Sequence, residues 1–240
     1  MNLAIIGAGE SSRLKAEGLK IPKHLIKLNG EYLIERIIRI GGEKGFDKVF
    51  CIINSHEPEL KNYLLNHKFN ISVSLIVKDT ESSMHSLFEM SQYLSNEPFC
   101  LATTDTVFLE NEFSNFINYC KSTEKIDGIL AITKFIDDEK PLCVSLDNEN
   151  NIINFSDSKE GYFWATGGIY YFSNRIFELL PEALNLGIAR LRNFLRLLIR
   201  NNYKLKAYSF SKIVDIDHVK DIKIAEELIS SYHAQLEEKK

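Results

Sequence analysis

An α/β fold, with a mostly parallel mixed sheet flanked by helices and a small antiparallel extension, follows from three observations. Apolar strand-like runs alternate with helical patterns through the first half of the chain. The second half crowds four strand-like segments around a hairpin-type turn. The composition, 45% hydrophobic and 26% charged over 240 residues, is that of a globular chain long enough to bury a core, and neither disordered nor fibrous.

Residues 3–6 form a short apolar run ending at Gly7, the pattern of a strand buried on both faces. The segment 10–27 is polar and basic, after which Leu33, Ile34, Ile37, Ile38 and Ile40 predict an amphipathic helix stopping at Gly41-Gly42. A strand over 48–53, a helix over 57–66, a strand over 71–77, a helix over 83–94 and a strand over 99–103 continue the alternation. Strands separated by helices imply right-handed crossovers and a parallel sheet. Strands are then predicted over 128–133, 142–146, 152–155 and 164–172, with 147–151 as the turn. Helices over 174–180 and 188–201, strands over 204–209 and 214–216, and a last helix over about 219–235 complete the order. No linker or repeat divides the chain, so one domain over 1–240 is expected.

Twenty-nine basic against 33 acidic residues give a net charge of −4, which argues against a nucleic-acid binder relying on a general basic field. Cys51, Cys100, Cys120 and Cys143 show no metal or redox spacing and read as buried hydrophobes in a reducing compartment. The first residues lack a basic leader pattern and no apolar run reaches the length of a membrane span. The expectation is a cytoplasmic protein with no membrane partner.

The stretch Gly7-Ala8-Gly9-Glu10-Ser11-Ser12-Arg13 follows a buried strand, where small residues let backbone N–H groups approach a phosphate. A dinucleotide fingerprint requires a third glycine where Ser12 stands and an acid after the next strand, which ends Cys51-Ile52-Ile53-Asn54. A Gly-Lys-Ser/Thr phosphate loop is also lacking. Arg13 and Lys23, the latter beside backbone-restricting Pro22, are either two solvated charges or two cations aimed at a triphosphate. Asp105 ends the apolar run 99–104, at the strand end where open α/β sheets take ligands, though it could equally cap a turn. Alternation puts Asp215 and Asp217 on one face of the strand 214–216, and Asp217 could instead cap the last helix.

Three of these stretches together resemble the sugar-phosphate nucleotidyltransferases. Their opening pattern, an apolar strand, roughly A-A-G-x-G-T/S-R, then P-K-x-L and G-x-P-L-I, is matched by 5–13, by Pro22-Lys23-His24-Leu25 and by Gly30-Glu31-Tyr32-Leu33-Ile34. Ser11 replaces a glycine and Tyr32 a proline. Leu101 to Phe108 is similar to the family's L-x-x-x-D-x-x-F, and Val214 to Asp221 to its D-x-D-T-P-E-D, with His218 and Val219 in place of Thr and Pro. The resemblance implies a glycosyltransferase-A-like, Rossmann-like fold and an enzyme joining an NTP to a sugar 1-phosphate with release of pyrophosphate. It implies Mg²⁺ on Asp105 and Asp217, with Asp215 as support or substitute. It makes Arg13 and Lys23 the catalytic cations, and Gly7, Ala8, Gly9, Ser11 and Ser12 the triphosphate cradle. Ser82 and Ser83 stand where the family reads the base, although helix capping explains both. His85 reads as a helix-surface residue. Lys159, Thr166, Gly167 and Gly168 stand where the family binds the acceptor. The nucleotide then belongs to the half 1–125, and the acceptor and second metal ligand to 126–240. A cytidylyltransferase for a non-sugar phosphomonoester or molybdopterin, and a regulatory domain that binds without turnover, remain open, as does a homo-oligomer. The arginines at 190, 192, 196 and 200 read as the solvated side of their helix.

Overall fold

The computed structural model describes residues 1–7, 12–137 and 139–237. Ala8, Gly9 and Ser11, assigned above to the triphosphate, lie outside them. The chain runs β1 (Asn2–Gly7), α1 (Ser12–Ala16), a 3-10 turn (Lys23–Leu25), β2 (Lys27–Leu28), β3 (Glu31–Tyr32) and α2 (Leu33–Glu43). β4 (Val49–Ile53), α3 (Pro58–Asn66), β5 (Val73–Val77), α4 (Ser83–Leu94), β6 (Phe99–Thr103), β7 (Thr106–Val107) and α5 (Glu110–Ser122) follow. Then come β8 (Gly128–Thr133), β9 (Cys143–Leu146), β10 (Ile152–Ser156), β11 (Trp164–Phe172) and a 3-10 turn (Asn174–Leu179). α6 (Leu180–Asn185), α7 (Leu191–Arg200), β12 (Leu205–Phe210), β13 (Val214–Asp215) and α8 (Val219–Glu237) close the order.

β6, β1, β4 and β5 are adjacent and parallel, as the alternation predicts. β11 lies antiparallel to β6 and β8, β12 runs parallel to β8, and the β9–β10 hairpin joins through β11. Successive side chains of β1 feed two cores: Ala4 and Ile6 one, Leu3 and Ile5 the other. Met84, Leu87, Met90 and Leu94 of α4 with Phe194, Leu195 and Leu198 of α7 cover the first face. Ile34, Ile37 and Ile38 of α2, Leu60 of α3, and Phe113 and Phe116 of α5 cover the second. A third, smaller cluster joins Leu14, Ile26 and Leu28 to Val107, Val214, Ile216 and Ala225.

Two helices differ from expectation. α2 runs through Gly41 and Gly42 to Glu43. A Cβ on Gly41 would lie 2.8 Å from the Leu3 side chain, so the glycine serves the close approach of helix to strand instead of ending the helix. α5 adds a helix that the sequence pattern above does not predict, with Phe113, Phe116, Ile117 and Cys120 as its buried face at helical spacing. Among the described residues, no helix is long and apolar enough to cross a membrane.

β11 carries the irregularity that shapes the sheet's middle. It bonds to β9 through Trp164 and Ala165 and to β6 from Ile169 onward, and its register with β8 shifts between Thr166 and Tyr170. Gly168 sits inside this bulge at φ +68°, and a Cβ there would lie 2.3 Å from Thr106 Oγ1 and 2.8 Å from Thr103 Oγ1. Gly168→Ala is therefore expected to destabilise the fold by roughly 2–4 kcal/mol, combining left-handed strain with a clash. Gly187→Ala, at φ +62° in open space, should lose only about 1 kcal/mol. Urea midpoints of the two variants check the difference.

Candidate active site

The site begins with a two-stranded ribbon. β7 pairs antiparallel with β13, Val107 opposite Val214 and Thr106 opposite Asp215. The Ile216 N–H then donates to the Asp105 carbonyl at 3.0 Å. Segments a hundred residues apart are thus zipped together, and Asp105, Asp215 and Asp217 emerge beside one another. Asp217 does not cap α8 with its side chain. Asp221 does that work, its Oδ2 accepting from the Asp217 N–H at 3.0 Å and the His218 N–H at 2.6 Å.

Lys23 meets these acids from a 3-10 turn after Pro22, closed by Leu25 N–H to the Pro22 carbonyl at 2.9 Å. Leu14, Ile26 and Leu28 seat the surrounding segment on Val107, Val214 and Ile216. The Lys23 ammonium donates to Asp105 Oδ2 at 2.6 Å and to Asp217 Oδ1 at 2.9 Å, and the residue is only 6% exposed. Arg13, in the short α1 and exposed, donates to Asp217 Oδ2 at 2.6 Å. Burial opposes both charges of the Lys23–Asp105 pair, but their attraction outweighs it. The ammonium is held above its ordinary range and the Asp105 carboxyl below its own. Asp215 goes the other way, pushed up by burial and then by the Asp105 charge, while accepting from Thr106 Oγ1 at 2.9 Å.

No group of three or more His, Cys, Asp and Glu residues forms a metal cage among the described residues. A Mg²⁺ ion bridging phosphates needs only one or two carboxylates and hard oxygen donors. Asp105 and Asp217, already converged on one cation, fit that requirement in donor type and number.

A small cavity lined by Thr166, Gly167 and Ile213 touches Asp215 and Asp217, and two larger ones flank the acids. One, about 600 Å³, reaches from Lys23 and Asp105 to Asn54, Asp79, Ser82 and Ser83. Ser82 occupies the N-cap of α4 but makes no side-chain cap bond. Its hydroxyl donates to the Ala189 carbonyl and lies 3.0 Å from His85 Nδ1, while Ser83 Oγ accepts from the Leu191 N–H at 3.3 Å. Both serines thus tie α4 to the start of α7 at the cavity wall. Gly7 ends β1 beside Ile53, and Ser12 opens α1.

The second cavity, about 460 Å³, is walled by Thr166, Gly168 and Asp215 and by the basic residues Lys140, Arg190 and Arg192. Gly167 packs on Ile213, whose Cδ1 would lie 2.3 Å from a Cβ added there. Lys159 lines neither cavity; it is exposed in the β10–β11 loop. Arg192 and Arg196 are not simply solvated, since they bond Asp157 at 2.9 and 2.8 Å. Arg192, in the first turn of α7, lines the cavity, and that position is the signal available in the sequence.

His24, a spacer in the sequence motif, is 2% exposed. Its Nδ1 lies 2.5 Å from Thr104 Oγ1 and its Nε2 3.4 Å from Glu57 Oε2. Burial pushes the imidazole down to about 4, so it is neutral at physiological pH.

A model of the MobA-like NTP transferase domain matches residues 3–197. The chain belongs to that family. The matched stretch contains Arg13, Lys23 and Asp105, whereas Asp217 lies beyond it and enters the site through the β7–β13 ribbon. Among curated relatives, the bifunctional protein GlmU of Methanococcus aeolicus is 25% identical over 184 residues, covering 75% of this chain and 42% of that protein. The chain thus aligns with less than half the length of that relative. Among solved structures, the inositol-1-phosphate CTP transferase of T. maritima has a TM-score of 0.80 at 18% identity, covering 95% of this chain and 94% of the other. A putative glucose-1-phosphate thymidylyltransferase from Bacillus anthracis has a TM-score of 0.83 at 17% identity, with the same coverages of 95% and 94%. The MobA-like family match and these neighbours bear out the nucleotidyltransferase resemblance and its fold.

The His24 value generates a pH dependence. Its folded value, about 4, lies below the ordinary 6.5, so the unfolded chain takes up this proton first. The associated stability is complete above about 6.5 and is lost as pH falls towards 4. The loss amounts to about 3 kcal/mol. Between about pH 7.5 and about pH 4.5 the urea midpoint of the wild type should fall further than that of His24→Asn, which lacks the titrating ring.

Proposed function

We propose that this MobA-like family member joins an NTP to a phosphorylated small-molecule acceptor, foremost a sugar 1-phosphate, giving an NDP-sugar and pyrophosphate. The observation that carries this reading is the Lys23 ammonium held between Asp105 and Asp217, with Arg13 on the second acid, at the C-terminal edge of the parallel strands. Cations suited to phosphate oxygens and carboxylates suited to a hard divalent ion share one cleft. Family membership and the names of the two structural neighbours, which pair a nucleotide with inositol 1-phosphate and with glucose 1-phosphate, support the class of acceptor. The inositol-named neighbour favours, as a second reading, a phosphorylated alcohol that is not an aldose.

The acceptor phosphate is ionised at neutral pH, so no side-chain nucleophile or base is required. One of its oxygens attacks the α-phosphorus in line. The new P–O bond forms as the bond to the β-phosphate oxygen breaks, and pyrophosphate leaves with the electron pair. Asp105 and Asp217 would hold Mg²⁺, which when bound neutralises charge at the reacting phosphates. Lys23 exchanges its carboxylate partners for α-phosphate oxygens, and Arg13 meets the leaving pyrophosphate. The cavity beside Ser82 and Ser83 takes the nucleoside, and the cavity with Lys140, Arg190 and Arg192 the acceptor. In this reading 1–125 supplies the nucleotide side and 126–240 the acceptor side of one catalytic unit.

Pyrophosphate release, measured for each of the common NTPs against sugar 1-phosphates and phosphorylated alcohols with Mg²⁺, should reveal at least one productive pair. Nucleotide binding without turnover of any pair would favour a regulatory binding domain. Asp105→Asn should lower kcat at least ~100-fold while leaving the fold intact. Chelation of divalent ions should abolish turnover, and added Mg²⁺ should restore it. Turnover that survives either change would remove the metal from the proposal.

A further inference from the structure

We infer that His24 is a positioning residue that fixes the distance between Lys23 and Asp105 by gripping Thr104, with Glu57 orienting its ring. The role rests on the nucleotidyl-transfer reading of the Lys23–Asp105 pair. Two neighbouring side chains of the 3-10 turn, Lys23 and His24, bond two neighbouring residues after β6, Asp105 and Thr104. The lysine contact is electrostatic and lies at the cleft. The histidine contact is buried, His24 being 2% and Thr104 3% exposed.

A histidine at such depth has lost its water, and its ring nitrogens need partners inside the protein. Thr104 Oγ1 supplies one at 2.5 Å. On the far side, His24 Nε2 and Glu57 Oε2 lie 3.4 Å apart, both buried and neither with a hydrogen-bond partner among the described residues. A carboxylate oxygen 3.4 Å from Nε2 favours the tautomer with the proton on Nε2, which leaves Nδ1 to accept the Thr104 hydroxyl. That tautomer pairs Nδ1 with Thr104, whereas the Nε2–Glu57 contact is an electrostatic approach and not a hydrogen bond. Glu57 therefore selects the tautomer, and the tautomer selects the donor direction of Thr104. An apolar residue of similar size would fill the space but leave the Thr104 hydroxyl without its acceptor.

The test uses His24→Leu, His24→Asn, Thr104→Val and the double variant His24→Leu/Thr104→Val. Asparagine places a polar atom where Nδ1 stands, so it can keep the Thr104 bond; leucine cannot. Backbone hydrogen exchange at Thr104 and Asp105 should speed up at least ~10-fold in His24→Leu and Thr104→Val, with the central strand β4 unchanged as a control. kcat should fall ~10–100-fold in each with KM for the NTP little changed. The double variant should be no worse than either single one, because both remove one bond. His24→Asn should recover most of both losses. Unchanged exchange at Asp105 in His24→Leu, or additive losses in the double variant, would overturn the inference. Thr104→Val probes the same bond should His24→Leu not fold. Absence of turnover by the wild type would count against the proposed function alone, since the exchange comparison decides the positioning role without it.

Discussion

Three carboxylates drawn into one cleft are the constraint on which the rest of the structure depends. Asp105, Asp215 and Asp217 converge because backbone pairing between β7 and β13 leaves them nowhere else to go. Burial and then the neighbouring Asp105 charge raise the proton affinity of Asp215, and drawing like charges together carries a cost. Lys23 and Arg13 offset it, Lys23 from a nearly buried position. To deliver a lysine there, the chain needs a segment that is polar at its tips and apolar beneath. The stretch from α1 to β3 has this character, with Leu14, Ile26 and Leu28 underneath. The same segment reaches across to α8, where the Glu17 carboxylate accepts from the Val219 N–H at 2.7 Å and meets His218 Nδ1 at 2.5 Å. Glu17 and Asp221 together satisfy helix N–H groups that would otherwise be orphaned. Asp217 is thereby released from capping and left facing the cations.

Much of this was legible in the sequence where a local rule suffices. Short apolar runs ending in Gly7 and Asp105 gave buried parallel strands and located the ligand edge of the sheet. Pro22 marked Lys23 as aimed, and the alternation Val214-Asp215-Ile216-Asp217 separated acids from core. What escaped required long-range information. Gly41 looks like a stop until Leu3 is seen pressed against it. The α5 face at Phe113, Phe116, Ile117 and Cys120 is broken by polar neighbours and has no strong capping residue, since Leu109 precedes it. His24 cannot be told from a surface spacer without Thr104, which lies 80 positions away. Lys159 rests on motif analogy alone: it is exposed in the β10–β11 loop and lines neither of the two larger cavities, whereas Lys140, from the β8–β9 loop, and Arg190 and Arg192, from the start of α7, wall the second.

The glycine pair in β11 has a packing role beside the acceptor role that its motif implies. Small residues at 167 and 168 suggest a sheet opened for a ligand. The space they leave is filled largely by protein, by Ile213 against Gly167 and by Thr106 and Thr103 against Gly168. These contacts lower β11 onto the β7–β13 ribbon, and Thr106, bonded to Thr103 at 2.7 Å and to Asp215 at 2.9 Å, transmits that close packing to the acid cluster. A side chain on either glycine would push the ribbon away and move Asp215 and its neighbours with it. The bulge also sets where β11 passes from β6 to β9, and so where the basic wall of Lys140, Arg190 and Arg192 stands relative to Asp105. Backbone smallness in this strand therefore acts on the site through the protein's own packing, and Thr166 and Gly168 line the cavity as a consequence of it.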